Sequence, residues 1–210
     1  NSVDKRVIRF LSQAVLNYQT TGAFTPSSQI LAREMVKSLP VHKDQRVLEV
    51  GSGTGVVTKH ILAKLLNGNE FHIVELNSEF SQYVEEKIIK PFQKEASGVK
   101  VVLHSASIDE AKLEGKFDVI ICGLPFNNFP IDIVEHFFEV MFSHLAHDGE
   151  LIYFEYLGVR WLKRIFGFPS IREETKLRTT NIQTRFKKHQ GGQSIIWRNI
   201  PSCRVVRLKR

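Results

Sequence analysis

The sequence predicts an α/β fold in which a mostly parallel sheet carries helices on both faces. Short apolar runs alternate with helix-length connections from residue 46 to residue 156, the pattern of strands joined by crossover helices. The first run leads directly into a glycine loop, Gly51-Ser-Gly-Thr-Gly55, a strand–loop–helix junction built to approach a ligand. At 210 residues and 42% hydrophobic, the chain is long enough for one sizeable core and short for two.

In chain order, Val3, Val7, Phe10, Leu11, Ala14, Val15 and Tyr18 recur at helical spacing and predict an amphipathic helix over 3–18. "TTGAFTPSS" is a turn-rich linker, after which Ser27 or Ser28 caps a helix over 28–39, closed by Pro40. "RVLEV" (46–50) is a buried strand, followed past the glycine loop by a helix over 55–66. "EFHIVEL" (70–76) is the second strand, and "NSEF" opens a helix expected to stop at Pro91. "VKVVLH" (99–104) and "FDVIICGL" (117–124) are the third and fourth strands. Pro130 suits the first turn of a helix over 131–145. A turn at "HDG" then leads into "ELIYFEY" (150–156), the fifth strand. Residues 157–183 are basic and irregular, expected to hold a helix or two. "QTRFKKHQGGQSIIWRN", with glycines that could break it, and "CRVVRLKR" are two further strands.

Charge is placed unevenly. Residues 156–210 hold 14 Lys/Arg against 2 Asp/Glu, whereas residues 1–155 hold 15 against 20, so a basic C-terminal quarter adjoins a mildly acidic body. An anionic partner on one side is expected, with phosphate backbones and lipid head groups equally suited. No apolar run approaches the roughly 18–20 residues of a membrane span. No charged-then-apolar leader opens the sequence, and Cys122 and Cys203 form neither a metal motif nor a disulfide framework, so a reducing cytoplasm is the expected setting. The eight histidines show no metal spacing, and no metal is expected.

The glycine loop reads G-x-G-x-G, with Val56 where a dinucleotide fingerprint would place its third glycine, and Glu49 precedes it by two residues. A dinucleotide seats a diphosphate at the helix N-terminus. S-adenosylmethionine instead offers an ammonium, a carboxylate, a sulfonium and a ribose. Glu49 suits its cationic end, and Glu75, at the end of the second strand, can accept both ribose hydroxyls. A nicotinamide cofactor or a ligand-free turn are the competing readings.

"EVGSGTG" followed by "VELN" resembles the first two motifs of class I S-adenosylmethionine-dependent methyltransferases. That resemblance implies a single Rossmann-like, seven-stranded sheet over 41–210, its last two strands an antiparallel edge hairpin. Helices over 1–40 would serve as a cofactor lid and possible membrane contact. It also implies that Glu49, Gly51, Ser52, Gly53, Thr54, Gly55 and Thr25 surround the methionine and ribose, with Glu75, Leu76 and Asn77 at ribose and adenine. Ser105, the backbone of Ala106, and Gly123 complete the expected cofactor site.

The stretch "ICGLPFNNF" (121–129) decides the substrate. Adenine N6-methyltransferases commonly place Asn or Asp two residues before the proline of this lip; here that residue is Gly123, which has no side chain to hold a base amine. The helical RNA-binding domain appended in the ribosomal-RNA enzymes has little room in the 54 residues after Tyr156. The whole chain instead resembles the bacterial phospholipid N-methyltransferases, through "TGAFTPSS", "LEVGSGTG", "LPFNNFP" and "WRNIPSCRVVRLKR". Ornithine-lipid methyltransferases look similar. The resemblance implies stepwise methylation of phosphatidylethanolamine towards phosphatidylcholine on the cytoplasmic membrane face.

For that chemistry Phe126, Asn127 and Tyr18 are the expected catalytic residues. Phe24, Leu124, Pro125, Tyr156, Lys163 and Arg164 are expected to meet substrate or membrane. Aromatic faces, with Phe129 a further candidate, attract quaternary ammonium. Tyr18, Glu155 and His104 are candidate bases, with solvent as the alternative. An RNA adenine methyltransferase and a non-catalytic binding module are the competing functions.

Overall fold

The computed structural model describes residues 26–40, 42–95, 98–126, 129–157, 190–197 and 202–210. The expected helix over 3–18 and the basic stretch beyond residue 157 lie outside these residues.

Seven strands form one sheet: β1 (Arg46–Val50), β2 (Glu70–Val74), β3 (Lys100–His104), β4 (Phe117–Cys122), β5 (Leu145–Tyr156), β6 (Gln190–Ile196) and β7 (Cys203–Lys209). Their order is β3-β2-β1-β4-β5-β7-β6. The first five pair in parallel, and β7 is antiparallel to both β5 and β6. This is the seven-stranded sheet with an antiparallel edge hairpin expected from the motifs. The chain starts at β1 and runs outwards to β3, then returns to β4 beside β1. The direction of winding therefore reverses between β1 and β4, where open α/β sheets bind ligands at their carboxyl ends.

Two apolar clusters sandwich the sheet. On one face α1 (Pro26–Met35) and α2 (Val56–Leu62) bring Leu31, Met35 and Ile61 against Val47, Ile121 and Phe154. On the other face α5 (Ile131–His144) brings Val134, Phe137, Phe138 and Met141 against Leu48, Ile120, Leu151 and Tyr153. The central strands are buried almost throughout, which is why β1 and β4 read as continuous apolar runs rather than alternating ones.

Four elements depart from the sequence reading. The helix over 28–39 begins instead at Pro26, whose missing N–H costs nothing at a helix start, and ends at Met35. Pro91 does not stop its helix: α3 (Ser78–Val84) passes through a π-helical turn (Glu85–Ile89) into α4 (Lys90–Glu95). In that wide turn the Lys90 N–H bonds back to the Glu85 carbonyl, five residues away, and the altered register gives the Pro91 ring room where a regular α-turn would clash. The turn expected at His147–Gly149 appears within β5 as a register shift, with Phe117 opposite Leu145 but Val119 opposite Glu150. Gly191 and Gly192 likewise mark a register shift in β6 rather than a break.

Candidate active site

At the carboxyl ends of β1, β2 and β4, a cavity of about 1010 Å³, counted out to its open mouth, lies across the β1/β4 reversal. The glycine loop forms one wall. Gly51, Gly53 and Gly55 all have positive φ (77°, 53° and 75°), and the Gly51 N–H is tied to the Val74 carbonyl at 2.8 Å. A Cβ on Gly53 would meet nothing within 4 Å, so this residue presents bare backbone to the cavity.

Glu75 anchors the loop. Its carboxylate accepts the Gly53 N–H at 2.8 Å and the Asn77 N–H at 2.9 Å, with Ser52 Oγ at 3.5 Å. Burial raises its pKa above the usual carboxylate range, and these hydrogen bonds pull the other way. Asn77 does not line the cavity. Its side chain caps α3, accepting the N–H groups of Glu79 and Phe80, and so places the cavity-lining Phe80.

Glu49 lies fully buried beneath the loop. Thr58 donates to one carboxylate oxygen at 2.7 Å, while Oε1 has no partner. Desolvation pushes its carboxyl up to about 8, the Thr58 hydrogen bond opposes the rise, and Glu75 adds to it. A buried acceptor with an unused oxygen beside a glycine cradle fits a ligand that brings an ammonium group or an ordered water.

Of the sequence-predicted residues, the fold brings Gly51, Ser52, Gly53, Thr54, Glu75, Leu76, Ala106, Gly123, Leu124 and Pro125 to this cavity. Glu49, Gly55 and Asn77 support it from behind. Ser105 is exposed and does not line the cavity; the contribution after the third strand comes from Ala106, Ser107 and Ile108. Phe126 is buried away from the cavity among Phe129, Phe137, Phe138 and Tyr153, with ring centroids 5.1–6.1 Å apart. Phe129 takes the lining position instead. Tyr156 is half-buried with its ring edge-on to Phe154, and it is Phe154 that lines the cavity. Tyr18, Phe24, Thr25, Asn127, Lys163 and Arg164 lie outside the described residues. Of the candidate bases, His104 bonds to His72 at 2.9 Å and Glu155 to Arg204 at 2.5 Å, and neither lines the cavity.

Sequence reasoning missed Leu31 and Met35 from α1, Val56 and Val57 from α2, and Phe80, Phe137 and Phe154. Each sits in an amphipathic or apolar run whose pattern marks it as core but not as core facing a ligand. Glu75 is the only ionisable side chain among the described lining residues; the remaining wall is mainly apolar.

The lip at Gly123 is sterically closed. Its N–H bonds to the Val50 carbonyl at 2.9 Å, and a Cβ there would press into the Gly51 carbonyl oxygen. With this backbone no amide side chain fits where the adenine enzymes carry one.

Comparison with known proteins agrees with this architecture. Residues 47–149 match the methyltransferase domain family. An ornithine lipid N-methyltransferase from Singulisphaera acidiphila is 24% identical over 145 residues, which are 67% of this chain and 72% of that protein. Among solved structures, an S-adenosylmethionine-dependent methyltransferase from Aquifex aeolicus superposes with a TM-score of 0.61 at 16% identity, covering 91% of this chain and 97% of that one. Magnesium protoporphyrin IX methyltransferase from Synechocystis PCC 6803, solved with bound S-adenosylmethionine, gives 0.60 at 15% identity, covering 88% and 80%. With its motifs, its sheet order and the match over residues 47–149, the chain carries a methyltransferase domain.

Proposed function

We propose that the protein methylates the amine of a membrane lipid head group, with S-adenosylmethionine as donor. Phosphatidylethanolamine and its partly methylated forms are the leading substrates, and an ornithine lipid the alternative. The observation that carries the choice of substrate is Gly123: the lip has no room for the side chain that would grip a nucleic-acid base. The similarity to an ornithine lipid N-methyltransferase supports the same direction.

The cradle fits the cofactor. Gly53 offers bare backbone, Glu75 a carboxylate at the cavity edge, and Glu49 an unused buried oxygen beneath. When bound, S-adenosylmethionine supplies an electrophilic methyl group whose sulfur leaves as a neutral thioether. The chain must then hold the amine in line and free of its proton. An apolar wall favours the uncharged, nucleophilic form of an amine by desolvation, so solvent suffices as proton acceptor. Alignment and exclusion of water do the remaining work. Phe80, Phe129, Phe137 and Phe154 line the cavity, and aromatic rings there suit the head-group cation that grows with each methylation. In this reading residues 1–40 close over the cofactor, with Leu31 and Met35 already at the cavity. The basic stretch containing Lys163 and Arg164 faces anionic lipid. No helix among the described residues is long and apolar enough to cross a membrane, which is compatible with attachment at the surface.

Purified protein with methyl-labelled S-adenosylmethionine should label phosphatidylethanolamine or ornithine lipid in vesicles and leave RNA unlabelled. Label in RNA and none in either lipid would refute the proposal.

A further inference from the structure

The cavity wall that follows β3 holds one polar side chain with a fixed hydrogen-bonding role. Among the described lining residues the polar side chains are Ser52, Thr54, Glu75 and Ser107. The first three belong to the glycine loop and the end of β2, so Ser107 alone brings polar side-chain chemistry to the wall after β3. It is 4% exposed, and its hydroxyl donates to Glu110 Oε2 at 3.0 Å. An ionised carboxylate only accepts, so the hydroxyl proton is committed to Glu110 and the lone pairs of Oγ are what remain for a ligand. Ser107 is thereby set as an acceptor.

The turn that carries this residue is tied down on several sides. The Ser107 carbonyl accepts the N–H groups of Glu110 at 3.1 Å and Ala111 at 2.9 Å. Ile108 is buried in the core cluster that includes Phe137, and His136 Nε2 of α5 lies 2.8 Å from Asp109 Oδ1. Position along the sheet then suggests which part of a nucleoside Ser107 meets. β1, β2 and β3 are neighbours, roughly 4.8 Å apart, and their ends deliver the glycine loop, Glu75 and the Ser107 turn in that order. With ribose hydroxyls at Glu75, the base falls one strand further, towards β3. Leu76 and Phe80 from the β2 side and Ile108 from the β3 side line the cavity and give a purine ring apolar surface.

We infer that Ser107, with its hydroxyl proton held by Glu110, reads the amino group at purine C6 of the cofactor and so selects adenine over a purine with an oxo group there. An amino N–H completes the waiting acceptor. A keto oxygen in the same place would face lone pairs, leaving two buried acceptors without a donor. The inference rests on the S-adenosylmethionine reading of the cavity, and it gives base selection to a residue two positions beyond Ser105.

Calorimetry with S-adenosylhomocysteine and S-inosylhomocysteine, which carry an amino and an oxo group at purine C6, tests this without turnover. The parent protein should bind the adenosyl compound roughly tenfold or more tighter. Ser107→Ala should bring the two affinities to within about threefold, mainly by weakening the adenosyl compound. Glu110→Gln, at an exposed position, should narrow the gap from the other side. A Gln amide can donate to Ser107 Oγ and release the hydroxyl proton for a keto oxygen, so affinity for the inosyl compound should rise. Equal binding of the two compounds by the parent, or a ratio unchanged in both variants, overturns the inference while tight S-adenosylhomocysteine binding leaves the cofactor site standing. A parent that binds neither compound refutes the cofactor reading, and the role of Ser107 with it.

Discussion

In the proposed function Gly53 and Glu75, which both line the cavity, carry the cofactor side of the site. At Gly53 φ is 53°, a conformation that costs an L side chain roughly 1–2 kcal/mol, and the space above is cavity. Gly53→Val should therefore fold with reduced stability and lose S-adenosylmethionine binding by calorimetry. Glu75→Ala removes the acceptor of the Gly53 and Asn77 N–H groups together with the carboxylate at the cavity edge. A charged hydrogen bond worth about 1.5–3 kcal/mol corresponds to roughly 10- to 100-fold weaker binding. Unchanged affinity in both variants would remove the site assignment. Glu49 makes a pH prediction. Its carboxyl is raised from 4.5 to about 8 in the folded protein, so above 4.5 the unfolded chain releases this proton first and stability falls as pH rises towards 8. His60, His104 and His144 are lowered by burial, which makes stability fall in the opposite direction, below their ordinary 6.5. The window from about 6.5 to 8 therefore isolates the buried carboxyls, and Glu49→Gln should flatten the decline of Tm across it in cofactor-free protein. The loop residues and Glu75 were legible because strand, glycines and acidic residue fall in fixed order. Phe126 and Phe129 were not separable, because both lie in one short turn and only the packing of Phe126 against Tyr153 and Phe138 decides which ring meets the cavity.

At the level of elements, the strands were legible wherever apolar runs were bounded by turn residues, including the edge hairpin. Helix ends were less so. Pro91 reads as a stop, and only the π-helical turn before it explains why the helix continues. The contribution of α1 was hidden for a different reason. Leu31 and Met35 reach the cavity only because α1 docks across the sheet, and that docking depends on a residue about 170 positions later. Arg207 of β7 donates to Ser38 Oγ at 2.8 Å, Ser194 Oγ at 2.9 Å and the Glu34 carbonyl at 2.8 Å. Arg207→Ala should cost about 1.5–3 kcal/mol in denaturant unfolding. Because α1 lines the cavity, it should also raise the KM for S-adenosylmethionine more than it lowers kcat. Arg207→Lys, which keeps the charge but not the fork, should restore only part of either loss.

The whole molecule combines a common scaffold with a particular lip. The β1/β4 reversal places a cavity where the fold class binds its ligands, so fold and cofactor cradle follow from local sequence signals and chain order. In the proposed function, choice of substrate lives in fewer atoms: the crowded backbone at Gly123, the rings of Phe129, Phe137 and Phe154, and Glu75, the one carboxylate among the described lining residues. Gly123 was visible in the sequence as a missing side chain. Its structural meaning, that the Gly51 carbonyl leaves no space for one, needed the packing of two loops 72 residues apart. The most direct measurement is product analysis after reaction with a deuterium-labelled methyl donor and mixed phosphatidylethanolamine and ornithine-lipid vesicles, read by fragment mass spectrometry. The account predicts label on the head-group nitrogen of a lipid, with mono- and dimethylated forms preceding the last. Label on an oxygen, or on RNA added to the same mixture with none on lipid nitrogen, would contradict it.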